Sequence, residues 1–109
     1  MDLNELAREC HAIALSKGWY DTERTVPELL MLCVSELAEA LESYRRNEPR
    51  KAIWTNAQGR LEGFPAELAD AIIRILDMCG FYGIDIQTAF DTKMAYNRTR
   101  SFRHGNKRA

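Results

Sequence analysis

At 109 residues the chain has room for one domain, and with 46% hydrophobic residues and only 3 prolines it is a folding chain rather than a disordered one. Its net charge of −1 hides a split, because residues 93–109 hold six of the 15 basic residues and none of the 16 acids. An acidic body with a basic end argues against general nucleic-acid binding; it suits an anion held by a local basic group, or a metal held by the acids.

The opening MDLNELAREC carries acids where a signal peptide carries basic residues. No apolar run approaches the ~18 residues of a membrane span. The expectation is a soluble, cytoplasmic protein without a membrane or nucleic-acid partner. A first helix is predicted over Leu3–Lys17, with Asp2 as cap and Gly18 as stop. It carries Cys10 and His11, and a loop with Trp19 and Tyr20 follows it. A second helix starts at Thr25, with Pro27 in its first turn, and runs to about Arg46. Leu30, Cys33, Leu37, Ala40 and Tyr44 repeat along it at three-four spacing and read as its packing seam.

Periodicity is lost from Asn47 to Gly63. This stretch reads as a long connection with a short helix around Arg50–Asn56, and it carries Trp54. A third helix is predicted over Pro65–Phe81, apolar almost all round and therefore central, ending at Gly80 or Gly83. A fourth runs from about Asp85 to Ser101, and the basic residues 98–109 are expected to fray. The class is all-α: one domain, 1–109, of four main antiparallel helices in a bundle. Cys10, Cys33 and Cys79 form no C-x-x-C or Cys/His cluster; they read as small buried hydrophobes rather than zinc ligands.

Two segments echo each other, SELAEALE at Ser35–Glu42 and AELADAII at Ala66–Ile73. On a helix, residues three apart point the same way, so Glu36 projects with Glu39 and Glu67 with Asp70. The stripe Leu29, Leu32, Glu36, Glu39 turns from apolar to acidic, placing the first pair at the edge of a buried surface. The echo admits a repeat, two solvated faces or a site. Four carboxylates beside apolar surface repel one another and resist desolvation, and a divalent cation removes both objections. All-oxygen ligands without a Glu-x-x-His pair favour a hard metal, Mg²⁺, with Mn²⁺ as the alternative. Asp77 continues the stripe of Glu67 and Asp70 two turns further on; with Arg74 between, a surface ion pair is the alternative reading. The fourth helix carries Lys93, Asn97 and Arg100 on one face; taken alone the set reads first as cations complementing a helix C-terminus, and beside a carboxylate cluster it suits phosphate oxygens.

SELAEAL, ELADAIIRIL and KMAYNRTR, in that order, resemble the E-x-x-E, E-x-x-D and K-x-x-x-N-x-x-R pattern of the all-α MazG-like nucleoside triphosphate pyrophosphohydrolases. The likeness covers most of residues 10–104. It departs at Ser35, where many members carry an acid. The resemblance implies Mg²⁺-dependent cleavage of a (d)NTP between its α and β phosphates, giving a monophosphate and pyrophosphate, in housecleaning of the nucleotide pool. By this analogy Glu36, Glu39, Glu67 and Asp70 are catalytic metal ligands, Lys93, Asn97 and Arg100 grip phosphate or brace a subunit contact, and the chain works as a dimer or tetramer. Trp19, Trp54 and His11 are candidates for touching the base. Two alternatives stand beside this reading: the sister phosphoribosyl-ATP pyrophosphohydrolase activity, and a non-catalytic helical dimerisation or regulatory module whose acids only solubilise. Convergence of all four carboxylates discriminates the enzyme from the module.

Overall fold

Short polar side chains set where each helix begins. In the computed structural model of the chain, which describes residues 1–101, α1 spans Leu3–Ser16, and the Asp2 carboxylate accepts from the Glu5 N–H at 2.7 Å. Helix α2 spans Val26–Arg45. Thr25 and Glu28 exchange side-chain-to-backbone hydrogen bonds in a capping box, with Pro27 in the first turn. Helix α3 spans Phe64–Tyr82 and ends at Gly83, which takes the left-handed conformation that terminates a helix at no steric cost. Asp85 caps α4, Ile86–Thr99, by accepting from the Thr88 N–H. Of the basic end expected to fray, Arg98 and Thr99 complete α4 and Arg100 caps it; residues 102–109 lie outside the described residues.

The 47–63 connection departs from expectation. In place of a short helix it forms a hairpin, β1 (Trp54–Thr55) pairing antiparallel with β2 (Leu61–Glu62). Asn56 explains the difference. Its side-chain oxygen accepts from the N–H groups of Gln58 and Arg60, and its own N–H bonds the Arg60 carbonyl, so the chain reverses there instead of coiling.

Helix α3 is the central element, with α1 packed on one side and α2 on the other. Both neighbours run antiparallel to it. On the α1 side Ala7 meets Gly80 and His11 meets Asp77; on the α2 side Leu29 and Leu32 lie by Asp77 and Arg74, and Glu36 by Arg74. Gly80 is therefore not the helix stop. A Cβ at this position would fall 2.5 Å from the Ala7 carbonyl oxygen, so glycine is what lets α1 approach this closely.

Small residues dominate the core: Ala7, Leu76 and Cys79, with Leu6, Cys10 and Ile86 packed against them. The buried side of α2 is Leu29, Cys33, Ala40 and Ser43, with the Glu36 side chain largely covered. This corrects the expected seam, since Leu30, Leu37 and Tyr44 are about half exposed. The helix is turned so that two polar residues face inward. Each has a partner, Ser43 donating to Glu48 at 2.6 Å and Glu36 accepting from Arg74.

Helix α4 is attached at its first turn. Gln87 accepts from the Leu3 N–H at 2.8 Å, Asn4 donates to Asp85 at 2.8 Å, and Gln87 N–H donates back to Asn4. None of its residues is buried. Three helices thus form the packed layer and the fourth leads away from it. Among the described residues no helix is long and apolar enough to cross a membrane.

Candidate functional site

Because α1 and α2 flank α3, a groove remains open over α3 between them. It holds a cleft of about 250 Å³ whose walls include Ala14, Lys17 and Trp19 on one side and Glu36 on the other, with Asp70, Ile73 and Arg74 along its base. At its edge the carboxylates of Glu36 from α2 and of Glu67 and Asp70 from α3 converge, each offering an oxygen within 4.8 Å of the others. The i, i+3 spacing places Glu67 and Asp70 on one face of α3, and the inward turn of α2 brings Glu36 to meet them.

Glu39 does not join this convergence. It is exposed and borders a second, polar cleft on the hairpin side, with Ser43, Glu62 and Glu67. It still acts on the site electrostatically. The Glu67 carboxyl is pushed above its ordinary range, first by burial and then by the negative charges of Asp70, Glu36, Glu39 and Glu62. Glu62 is an acid that sequence reasoning missed; it belongs to no helical stripe and reaches Glu67 only because the hairpin folds back beside the start of α3.

Among the described residues, Arg74 is the one cation paired with a member of the convergent trio. Its Nε and Nη2 both lie against Oε1 of Glu36, at 3.3 and 3.4 Å. Glu67 and Asp70 have no basic partner there. Glu36 and Glu67 are half-buried and Asp70 is exposed, and Lys17 and Arg46 line the adjoining clefts; an all-carboxylate set fits a hard divalent cation such as Mg²⁺ or Mn²⁺ and not a thiolate- or imidazole-seeking metal.

The aromatic candidates fare differently. Trp19 lines the cleft, but the Arg74 guanidinium covers its ring at 3.7 Å from the centroid, with Arg24 at 5.6 Å. His11 is engaged below the cleft, its Nδ1 2.9 Å from Asp77. Trp54 sits in β1 opposite Glu62 and is not part of the cleft wall. The surface ion pair expected of Asp77 and Arg74 is not formed. Asp77 is only 5% exposed; it accepts from Tyr20 Oη at 2.9 Å and pairs with His11, while Arg74 turns to Glu36. Tyr20 stacks on Phe81 and meets His11 edge-on, and burial together with the Asp77 bond pushes the Tyr20 hydroxyl well above its usual range.

Lys93, Asn97 and Arg100 lie on α4, away from the acids. Lys93 and Arg100 gather about Tyr96, at 4.9 and 5.3 Å from its ring centre, and neither cleft bordering the carboxylates includes an α4 residue. The cysteines are free thiols, Cys33 and Cys79 buried and Cys10 half-buried, and burial raises the pKa of each. That keeps them protonated and inert. Compared with protein-family models, curated proteins and solved structures, the chain gives no significant match.

Proposed function

We propose that the chain is a divalent-metal-dependent nucleoside triphosphate pyrophosphohydrolase of the MazG-like kind, acting in the cytoplasm on the nucleotide pool. The observation that carries this reading is the convergence of Glu36, Glu67 and Asp70, three of the four expected carboxylates, from two helices beside a cleft. It favours the enzyme over a non-catalytic helical module.

Glu36, Glu67 and Asp70 would hold Mg²⁺, or Mn²⁺ in its place. When bound, such a cation makes its water more acidic and offsets charge on a leaving phosphate. The chain's own residues do the rest. Glu39 and Glu62, outside the convergence but near enough to raise the Glu67 pKa, would orient a water or take its proton. The water oxygen bonds to the α-phosphorus, the bond from that phosphorus to the bridging oxygen breaks, and pyrophosphate departs.

Phosphate gripping by Lys93, Asn97 and Arg100 requires α4 from a second copy, because within one chain these residues stand apart from the acids. A homo-oligomer, dimer or tetramer, is therefore part of the proposal. Exposed Phe90, Met94 and Tyr96 on α4, and Leu30, Met31, Val34 and Leu37 on α2, support it.

The test is a panel of canonical and modified nucleoside triphosphates, with phosphoribosyl-ATP included, incubated with and without Mg²⁺ and assayed for pyrophosphate. Pyrophosphate release that needs Mg²⁺ and is lost in Asp70→Asn is the expected result. Release from no compound in the panel, or release unchanged in Asp70→Asn, overturns the reading.

A further inference from the structure

Among the described residues, the one cation paired with the carboxylate trio is placed by something other than the trio. Arg74 is engaged on two sides: its guanidinium lies over Trp19 at 3.7 Å from the ring centroid, and its Nε is 3.3 Å from the Glu36 oxygen, longer than the about 2.7–2.9 Å that a charge-assisted bond favours. Trp19 in turn belongs to a loop that is pinned at both ends of a short run. Its carbonyl accepts from Arg24 Nε at 2.6 Å, and its neighbour Tyr20 donates to the buried Asp77, one turn beyond Arg74 on α3. His11 holds the other oxygen of Asp77. The contacts form an unbroken line from a buried carboxylate, through the loop, to a member of the acidic trio.

We propose that Trp19 and Arg74 are positioning residues for Glu36: the indole fixes the guanidinium, and the guanidinium fixes the carboxylate that meets Glu67 and Asp70. This rests on the reading of the trio as a divalent-cation site. Both Arg74 nitrogens lie against Oε1, so Oε2 is left free to serve the cation while the carboxylate is kept from turning away. Partners of this outer kind set ligand orientation and, when removed, weaken a metal site about 10-fold to 100-fold. Trp19 acquires a role besides base stacking, because the Arg74 guanidinium lies over its ring.

The test measures Mn²⁺ binding alone, without nucleotide, by calorimetry and by the electron paramagnetic resonance of free Mn²⁺. Wild type is compared with Trp19→Leu, Trp19→Tyr, Arg74→Gln and the Trp19→Leu/Arg74→Gln double variant. Arg74→Gln is expected to weaken Mn²⁺ about 10-fold or more. Trp19→Leu, which touches no ligand, is expected to weaken it about 3-fold to 30-fold, the affinity equivalent of a cation–π contact. Trp19→Tyr keeps the stack and should stay near wild type. The double variant should be no weaker than Arg74→Gln alone, because both changes break one line of contacts. Wild-type affinity in Trp19→Leu, fully additive losses, or tighter binding in Arg74→Gln overturns the proposal. Should Trp19→Leu not fold, Arg74→Gln at wild-type affinity overturns it as well. If folded wild type binds Mn²⁺ and Glu67→Gln does not, the cation site stands whatever the Trp19 variants do; if folded wild type binds no Mn²⁺, site and proposal fall together.

Discussion

Glu67 carries the electrostatic cost of the site. Burial and four neighbouring carboxylates raise its pKa above the ordinary 4.5, so ionising it is harder in the folded chain than in the unfolded one. For a raised group the contribution to stability is complete below the unfolded value and is lost as pH rises through the folded one. Metal-free Glu67→Gln should therefore be more stable than wild type at neutral pH, by about 0.5–2 kcal/mol, and the difference should close in acid. Urea unfolding in a chelator measures it, and a wild type more stable than Glu67→Gln at neutral pH contradicts it. Asp85 works with the opposite sign. Bonds from Asn4, then from Thr88, lower its pKa below 3.8, so its contribution is present above that value and lost as pH falls through the depressed one. Asp85→Asn should release α4 from α1 and speed amide exchange in α4 at neutral pH, with the gap from wild type narrowing in acid.

The pairing of Glu67 with Asp70 was legible because i, i+3 spacing fixes which side chains share a helix face, whereas the same spacing joined Glu39 to Glu36 and the fold leaves Glu39 outside the convergence. Arg74 and Trp19 were not. Their meeting depends on Tyr20 reaching Asp77, 57 positions along the chain, and no local pattern encodes such a bond.

At the scale of elements, caps carried most of the information. Asp2, Thr25 with Glu28, and Asp85 mark three helix starts, since each satisfies N–H groups that the helix leaves open. Removing the Thr25 hydroxyl with Thr25→Ala should cost about 1 kcal/mol in thermal or urea unfolding. The phase of α2 was harder to read. Its apolar residues nearly encircle the helix, and the buried side is chosen by two polar residues whose partners, Glu48 and Arg74, lie elsewhere in the chain. Gly80 shows a similar limit, for its sequence context suggests a stop while its place in the fold is a close approach of two helices. Gly80→Ala should destabilise by about 1–3 kcal/mol, because the added Cβ meets the Ala7 carbonyl and the His11 Cβ. An unfolding midpoint equal to wild type would contradict that packing.

For the whole molecule the notable quantity is its spread. The radius of gyration is 16.4 Å, against about 13 Å for a compact chain of 100 residues. Much of the excess follows from α4, which is fastened only at its beginning, and from an open layer of three helices. Half-exposed Leu30, Leu37 and Tyr44 then form an apolar outer face on α2 that a lone small protein would not be expected to present. Light scattering should give a mass of at least twice the 12.5 kDa chain, and Leu37→Glu should lower it; a single-chain mass for the wild type contradicts the assembly. The helical class and the central place of α3 were readable from periodicity, whereas the detachment of α4 from the layer was not, because its stripe looks like that of any packed helix.

In the proposed reaction the acids beside the cleft direct water onto the α-phosphorus of a nucleotide. Hydrolysis of a nucleoside triphosphate substrate in heavy-oxygen water with Mg²⁺ tests it most directly. The account predicts the label in the nucleoside monophosphate, unlabelled pyrophosphate, and neither product from Glu67→Gln. Orthophosphate as the product, label in the pyrophosphate, or undiminished turnover by Glu67→Gln would contradict it.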